Sequence, residues 1–425
     1  MIDTIFALSS GPPPAGIAVM RISGPAAAGA ITALAGSLPP ARRARLARLR
    51  DARGGLLDQG LVLWFPGPKT ATGEDLAELH LHGGRAVVAA VEAALAALPG
   101  LRRAEPGEFT RRAFANGQMD LAEAEGLADL LSAETELQRQ AAVAMLGGLL
   151  SRQVEGWRER LLMLSARLEA ALDFDDEDDV AELSVSFAQD IAALEQDLFT
   201  ALAAPSAERL KDGFRVALAG PPNAGKSTLF NALVEAEAAI TAPLAGTTRD
   251  VLERNVALGG VGFSFVDMAG LRDDAGDQVE AIGIARAGQE IALADLVLWL
   301  GPEGAGPSGC WEVDAQSDRA DVPRKLAPRF RLSAVTGQGM DDLRQALIAA
   351  GRETAPRPGQ AALNRRQRDL IGRAAADLAA ARLQRDPLLL AEHLRNCRVA
   401  FDRLVGRTAT EDVLDALFGR FCIGK

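Results

Sequence analysis

The segment GPPNAGKS, residues 220–227, has the composition and spacing of a phosphate-binding loop. It follows an apolar stretch that predicts a strand and precedes one that predicts a helix, which is the context such a loop requires. Backbone N–H groups and the helix N-terminus surround the phosphates, Lys226 contacts the β and γ oxygens as a catalytic cation, and Ser227 ligates Mg²⁺. We therefore expect a nucleoside triphosphate site made by Asn223, Ala224, Gly225, Lys226, Ser227 and Thr228.

The segments that would select the nucleotide follow in the order typical of GTPases. AGTTRD, residues 245–250, offers a threonine that contacts Mg²⁺ and the γ-phosphate. FSFVDMAG, residues 263–270, ends a predicted strand in an acid that holds the metal through water, and its glycine N–H meets the γ-phosphate. LSAVTGQG, residues 332–339, is similar to the loop that backs a guanine base. These segments predict a GTPase domain, with contacts from Thr247, Thr248, Asp267, Gly270, Ser333 and Ala334.

Guanine specificity in this superfamily depends on N-K-x-D, whose carboxylate accepts the N1 and N2 protons of the base. The stretch that we align with it is DRAD, residues 318–321. In this alignment Asp321 keeps the acceptor, whereas Asp318 replaces an amide by an acid and loses a donor. We therefore expect weaker guanine discrimination than a complete motif would give.

The residue that would orient the attacking water is also unusual. Ras-type enzymes have a glutamine directly after D-x-x-G, but this chain has Leu271, which cannot orient water. Glu280 is a carboxylate at the end of an Asp- and Gly-rich stretch and can align water directly or through a second water. From spacing alone, a surface glutamate that opens a helix is an equal alternative.

Composition sets the broad class of the protein. A length of 425 residues predicts about three domains, and a net charge of -11 argues against nonspecific binding of nucleic acid by the whole surface. The arginine-rich stretches 41–53 and 364–368 lack interleaved aromatic residues, so we expect solvated helix faces there rather than nucleic-acid sites. A start without a basic leader and the lack of an 18-residue apolar run predict a cytoplasmic protein without a membrane partner.

The pattern of apolar residues changes along the chain and predicts a multidomain fold. Residues 1–117 mix short strands and one Ala-rich helix, typical of an α+β domain. Helical spacing of apolar residues predicts a helical domain in two parts, residues 118–210 and 351–425. Between them, 211–350 alternate strand, Gly-rich turn and helix, which predicts an inserted GTPase domain with a parallel sheet and helices on both faces. The acidic block 173–179 is expected to be a solvated loop.

Over its whole length the chain resembles the MnmE (TrmE) family, GTPases that modify the wobble uridine of certain tRNAs together with a flavoprotein. The resemblance is carried by the nucleotide segments above and by IFALSSGPPPAGIAVMRISGP, GEDLAELHLHGG, PGEFTRRAFANGQMDLAEAEGLADLL, VEAIGIARA and the terminal FCIGK. It implies an N-terminal folate-binding and dimerising domain, a helical domain and an inserted GTPase domain. It also implies that Glu280 orients water and that K⁺ at a dimer of GTPase domains is held by Asn223, Ala242, Leu244 and Thr247.

The resemblance implies a second ligand, a tetrahydrofolate derivative in its 5-formyl or methylene form. Its ligands would be Arg21, Glu78 and Lys425, and the residue types suit an anionic ligand with a pterin ring. A further family position, normally lysine, is Gln118 here, so one cationic contact is missing. Glu78, His80 and His82 alternate along one predicted strand, and a metal site is the less favoured alternative.

The implied function is GTP hydrolysis that drives addition of a carboxymethylaminomethyl-type group to uridine C5, with folate supplying the one-carbon unit. The implied partners are a second copy of the chain, tRNA and a FAD-dependent protein of the MnmG (GidA) family, joined in a heterotetramer. The alternative is a ribosome-assembly GTPase without folate chemistry. Cys422 to Lys425 have the spacing of a prenylation box, but Gly424 and Lys425 do not suit it. We expect instead that this tail is ordered, with Phe421 and Ile423 as apolar anchors.

Overall fold

The computed structural model describes residues 3–173, 185–235, 252–268, 288–357 and 359–424. The chain forms two compact units. The first comprises Met1–Ala128, Leu150–Glu159 and Arg398–Lys425, and the second comprises Asp129–Leu149 and Arg160–Cys397. Each unit contains one six-stranded sheet together with helices, so the predicted combination of α/β and helical parts is confirmed.

The sheet of the first unit is mostly antiparallel, with the strand order β3-β4-β5-β2-β1-β6 and only β6 running parallel to its neighbour β1. Its six strands all lie within residues 1–117, where the sequence predicts short strands. The strand bounds are β1 Thr4–Leu8, β2 Ala15–Ser23, β3 Arg45–Arg50, β4 Leu56–Phe65, β5 Leu76–Gly83 and β6 Leu101–Arg103.

One face of this sheet carries the core, because apolar side chains alternate along its strands. In β2, Ala18, Met20 and Ile22 are buried, and they pack in one cluster with residues of the two helices α1 Ala27–Ala35 and α2 Arg85–Ala96. The residues between them in β2 point to the other face. This alternation places Arg21 outside the core, where its side chain can meet a ligand.

The expectation of a helix face for the arginine-rich stretch 41–53 is wrong. Residues 45–50 form the edge strand β3, which pairs with β4 from Arg45↔Val62 onward. Within RLARLR, Ala47 and Leu49 are buried and the intervening side chains are exposed, which is a period of two and not of 3.6. Charged side chains on an edge strand also protect it from pairing with other chains.

The sheet of the second unit has the order β12-β11-β10-β7-β9-β8. All neighbours are parallel except β8 and β9, so the predicted parallel sheet is correct apart from its antiparallel edge. Buried clusters lie on both faces, one with Val216 and Leu218 of β7 and the other with Ala217 and Ala219. The bounds are β7 Phe214–Ala219, β8 Leu252–Leu258, β9 Val261–Asp267, β10 Leu296–Trp299, β11 Trp311–Asp314 and β12 Phe330–Arg331.

The remaining helices follow the predicted apolar spacing. The longest is α6, in which Val154, Trp157, Leu161, Leu164 and Leu168 are buried at intervals of three and four. The stretch 364–368 opens α11, where Asn364 and Gln367 form a capping box, so the helical expectation is correct there. The bounds are α3 Glu108–Ala115, α4 Leu121–Leu131, α5 Glu136–Leu146, α6 Leu149–Asp173, α7 Val185–Leu202, α8 Ala207–Asp212, α9 Lys226–Glu235, α10 Met340–Glu353, α11 Arg365–Leu383, α12 Pro387–Leu404 and α13 Glu411–Phe418.

Within the described ranges, every helix is too short or too polar to cross a lipid bilayer. The acidic block 173–179 lies almost wholly outside these ranges.

Candidate functional site

The strands of the second unit bring the nucleotide-binding segments to one edge of the sheet. Strands β7, β9, β10, β11 and β12 run parallel, with Leu218 opposite Asp267 and Ala219 opposite Trp299. Their carboxyl ends therefore meet at the same edge, which is where ligands bind in open α/β sheets. The segments that follow β7, β9, β11 and β12 are those singled out in the sequence.

The phosphate-binding loop connects β7 directly to α9, as predicted. Asn223 has a φ of 62°, a left-handed conformation that asparagine tolerates better than most residues. Gly225, at φ 91°, is placed so that a Cβ would lie 3.3 Å from the side chain of Gln316. Lys226 is 6% exposed, and its Nζ donates to the carbonyl oxygens of Gly220 at 3.0 Å and Pro221 at 2.9 Å. The ammonium group is thus held over the loop.

Two oxygen-bearing side chains meet at the start of α9. Ser227 Oγ donates to Asp267 Oδ2 at 2.7 Å, and Asp267, the last residue of β9, is fully buried. A hydroxyl beside a buried carboxylate fits Mg²⁺, which takes oxygen ligands and keeps several waters. Of the other predicted loop contacts, Ala224 is half-buried, and Asn223 and Thr228 have exposed side chains.

Several predicted site residues lie outside the described ranges. They are the catalytic Glu280 and the nucleotide, metal or folate contacts Ala242, Leu244, Thr247, Thr248, Gly270 and Lys425.

The segment 315–321, which we call the base loop, leaves the end of β11 and lies against the segment after β12. Gln316 forms a bridge with Ser333, and Ser317 N donates to the carbonyl of Leu332 at 3.0 Å. Ser333 is fully buried, and Ala334 beside it is half-buried. A hydrogen bond from the Ser333 side chain is the main reason that the pKa of Asp318 lies below its ordinary value, so Asp318 stays an acceptor.

Gln316 joins the base loop to the phosphate-binding loop. Its Nε2 donates to the carbonyl oxygen of Asn223 at 3.0 Å, and it packs against Gly225. Asp321, in contrast, has a side chain that is 69% exposed and forms an ion pair with Arg319. The geometry favours a second alignment with N-K-x-D, AQSD at residues 315–318, because this stretch directly follows β11 and contacts both neighbouring loops, whereas the alignment of DRAD stays a prediction.

Sequence reasoning missed Gln316 and also Arg324, whose guanidinium contacts the base loop. The only sequence signal for Gln316 is its distance from the end of β11. Arg324 has no such signal, because its partners in the base loop are backbone carbonyls.

In the first unit, two of the expected folate contacts are joined. Arg21 Nη2 and Nε donate to Glu78 Oε1 at 2.9 and 3.1 Å, across the β2–β5 pair in which the two residues are direct partners. Arg21 also lies 5.9 Å from the ring centroid of Phe109. Gln118 lies against Gly73 in the loop before β5, with its Nε2 donating to the carbonyl of Asn116 at 3.4 Å.

The two histidines near this pair have their own carboxylate neighbours. His80 Nε2 lies 3.3 Å from Glu78 Oε2, and His82 Nδ1 lies 2.8 Å from Asp58 Oδ1. Among the described residues there is no group of three His, Cys, Asp or Glu side chains that suits a metal ion.

The C-terminal tail, described here through Gly424, contacts the end of β1. Ser9 Oγ donates to the carbonyl of Gly424 at 2.8 Å, and Ile423 forms a bridge with Pro106. Gly424 has a φ of 94°, and a Cβ there would lie 2.1 Å from the carbonyl oxygen of Leu8. Phe421 is 5% exposed and anchors the tail, but Ile423 is 57% exposed, so its expected role as an apolar anchor is wrong. Its backbone bridge holds it instead.

Comparison with known proteins finds matching family models and similar proteins along the whole chain. The family model of the MnmE helical domain matches residues 121–422, and that of the GTP-binding protein TrmE N-terminus matches residues 4–118. The tRNA modification GTPase MnmE of Erythrobacter litoralis is 62% identical over 424 residues, covering 100% of both chains. That of Novosphingobium aromaticivorans is 63% identical over 437 residues, again covering 100% of both chains.

Among solved structures, the G domain of the FeoB iron transporter of T. maritima is 24% identical to this chain, with a TM-score of 0.23. The match covers 32% of this chain and 97% of that one. At this TM-score the likeness carries no argument. The family models and the full-length relatives above 60% identity show that this chain belongs to the MnmE family of tRNA modification GTPases.

Proposed function

We propose that this protein hydrolyses GTP and uses the turnover in modification of the wobble uridine of tRNA. The observation that carries the proposal is the sheet edge at which the phosphate-binding loop, Asp267 and the base loop converge, within a chain that belongs to the MnmE family along its full length. The group added at uridine C5 is of the carboxymethylaminomethyl type, and a folate supplies its one-carbon unit.

The experiment that tests the function is nucleoside analysis of tRNA from cells that lack this protein. We expect loss of the modified wobble uridine and its return when the gene is restored. Normal wobble nucleosides together with defective ribosomal subunits would instead favour the ribosome-assembly GTPase.

In this proposal each described side chain of the nucleotide site has a role. Lys226 neutralises the β and γ phosphates, and Ser227 holds Mg²⁺ with Asp267 acting through a water molecule. Asp318 accepts the N1 and N2 protons of guanine, supported by its position after β11 and its hydrogen bond with Ser333. Gly270, Thr247 and Thr248 complete the contacts to the γ-phosphate and the metal in this proposal.

Hydrolysis depends in this proposal on Glu280, which orients the attacking water, and on K⁺ bound by Asn223, Ala242, Leu244 and Thr247. The exposed side chain and left-handed backbone of Asn223 are compatible with an ion contact at a dimer of GTPase domains. We expect faster GTP hydrolysis in K⁺ than in Na⁺, with a rate per molecule that rises with protein concentration, because the ion site needs two nucleotide domains.

Steady-state phosphate release in the two salts checks this expectation. Equal rates at all protein concentrations would remove the potassium assignment.

In the same assay, Glu280→Ala should slow hydrolysis while GTP binding is kept, and an unchanged rate would return Glu280 to an ordinary surface position.

Folate binding is proposed for the first unit, at the Arg21–Glu78 pair. Gly424 lies beside Leu8 and Ser9, and Leu8 pairs with Met20, the residue before Arg21. This neighbourhood supports Lys425 as a further ligand. A chain that ends at Gly424 should bind 5-formyltetrahydrofolate about 5- to 150-fold more weakly, because one charge-assisted contact is lost.

Calorimetric folate titration of the two chains checks the role of Lys425. Gly424→Ala provides a second variant, since its Cβ would collide with the Leu8 carbonyl and displace the tail. Equal folate affinity in all three proteins would remove the tail from the site. Failure of the unchanged chain to bind folate would favour the alternative function and point to Gln118 as the cause.

The proposed partners are tRNA, a FAD-dependent protein of the MnmG family and a second copy of this chain, assembled as a heterotetramer in the cytoplasm. The outer face of the first sheet supports the homodimer. Leu46 and Leu61 are direct partners across β3 and β4 and are 60% and 41% exposed, and Ile17 on the same face is 62% exposed. Apolar side chains gathered on an open sheet face are typical of interfaces. Light scattering of the purified chain measures the dimer, and a monomer at all concentrations would contradict it.

A further inference from the structure

We propose that Arg324 is a positioning residue for guanine recognition, whose guanidinium fixes the base loop so that Asp318 meets the base. Arg324 lies between β11 and β12, three residues beyond the base loop. The inference rests on the proposed function, because it concerns the same nucleotide site.

The residues that Arg324 contacts lie on both sides of Asp318 in the sequence. Its Nη1 donates to the carbonyl oxygen of Gln316 at 2.8 Å. Its Nη2 donates to the carbonyl oxygens of Ser317 at 2.9 Å and Arg319 at 2.5 Å. The residues on both sides of Asp318 are therefore bonded to one guanidinium, which holds the backbone that carries the Asp318 side chain.

An irregular loop needs such a partner. Carbonyls that leave a strand lose their partners in the sheet and must find other donors or water. Arginine presents five N–H donors in a rigid planar fork, so it can serve several carbonyls at once, whereas the ammonium group of lysine is a compact point charge. Three converging carbonyls match this fork.

Arg324 is itself anchored on the sheet. Its Nη1 lies 3.5 Å from Oδ1 of Asp314, the last residue of β11, whose side chain is 5% exposed. The other carboxylate oxygen of Asp314 accepts from Arg331 Nε at 3.2 Å. The acid at the strand end thus holds the arginine, and the arginine holds the loop.

The loop that Arg324 fixes also contacts the phosphate-binding loop. Gln316 accepts from Arg324 through its carbonyl and donates from its side chain to the carbonyl of Asn223. Loss of Arg324 should therefore loosen the contact to the base first and the contact between the two loops second. Chemistry at the γ-phosphate is performed by other residues.

The test compares GTP with ITP, whose base lacks the 2-amino group and so forms one hydrogen bond fewer with Asp318. Affinities are measured by displacement of a fluorescent GDP analogue. For Arg324→Gln we expect GTP to bind about 10-fold more weakly and the preference for GTP over ITP to fall toward one, because a displaced carboxylate loses the N2 contact. Arg324→Lys should recover only part of the preference.

The matched control is Arg319→Gln, which removes an arginine of the same loop whose side chain pairs with the exposed Asp321. Its preference for GTP over ITP should equal that of the unchanged protein. If Arg324→Gln keeps the full preference, even with weaker binding of both nucleotides, the positioning role is overturned. If the unchanged protein does not prefer GTP over ITP, the proposed guanine site fails as well. A preference lost in Asp318→Asn but kept in Arg324→Gln overturns the role of Arg324 alone.

Discussion

Replacing Lys226 by alanine is expected to weaken GTP binding about 100-fold. The ammonium group, held over the phosphate-binding loop by the carbonyls of Gly220 and Pro221, is the side-chain cation that the proposal assigns to the β and γ phosphates. Charge-assisted hydrogen bonds are the strong ones, and losing contacts worth about 3 kcal/mol corresponds to this factor. Equilibrium binding of a fluorescent GTP analogue measures the change.

Lys211→Ala is the matched control for this experiment. Lys211 lies in the same unit, and its Nζ forms an ion pair with Asp129 Oδ1 at 2.6 Å. The side chain of Lys211 is 51% exposed. Its removal should leave GTP affinity unchanged. Thermal unfolding of both variants reports whether the fold is intact. GTP binding at full strength by folded Lys226→Ala would show that this loop does not hold the triphosphate.

Much of the fold could be predicted because burial imposes a period on the sequence. The spacing of Val154, Trp157 and Leu161 identifies one face of α6, and the alternation in β2 identifies a half-buried strand. The strand β3 was missed because an arginine-rich stretch of 13 residues suits a solvated helix, and only six of those residues show the alternation. Pairing with β4 is what makes this stretch a strand, and a tertiary contact of this kind leaves little trace in the local sequence.

Part of the candidate site could also be predicted from the sequence, and part could not. The strand, loop and helix around Lys226 are contiguous, so their local structure could be predicted from one segment. The base loop could not, because β11 has only four residues, ends in Asp314 and is followed by further acids at 318 and 321. Which acid faces the base depends on where the strand ends and on what the loop packs against. The partners of Arg324 in the base loop are backbone carbonyl oxygens, which every residue type carries, so no sequence pattern marks them.

Replacing Asp318 by asparagine is expected to weaken GTP binding on the order of 100-fold and to transfer the preference to XTP. In the proposed site the carboxylate accepts the N1 and N2 protons of guanine, whereas an amide would present its NH₂ group to one of them and leave both donors poorly paired, at a cost of about 1–3 kcal/mol. Xanthine has a carbonyl at C2 in place of the amino group. The asparagine amide can donate to that carbonyl and accept the N1 proton, so two hydrogen bonds return.

Competition of GTP, XTP and ITP against a fluorescent GDP analogue measures this transfer, and Asp321→Asn is its control. The exposed Asp321 is paired with Arg319, so its replacement should leave the order of the three affinities unchanged. The two variants separate the two alignments of the base loop, because each alignment assigns the base to a different acid. A transfer to XTP in Asp321→Asn, with GTP preference kept in Asp318→Asn, would restore DRAD as the base-reading stretch. A transfer in Asp318→Asn alone would place the base against Asp318, four residues after the end of β11. Asp318 lies between Ser317 and Arg319, whose carbonyls accept from Arg324.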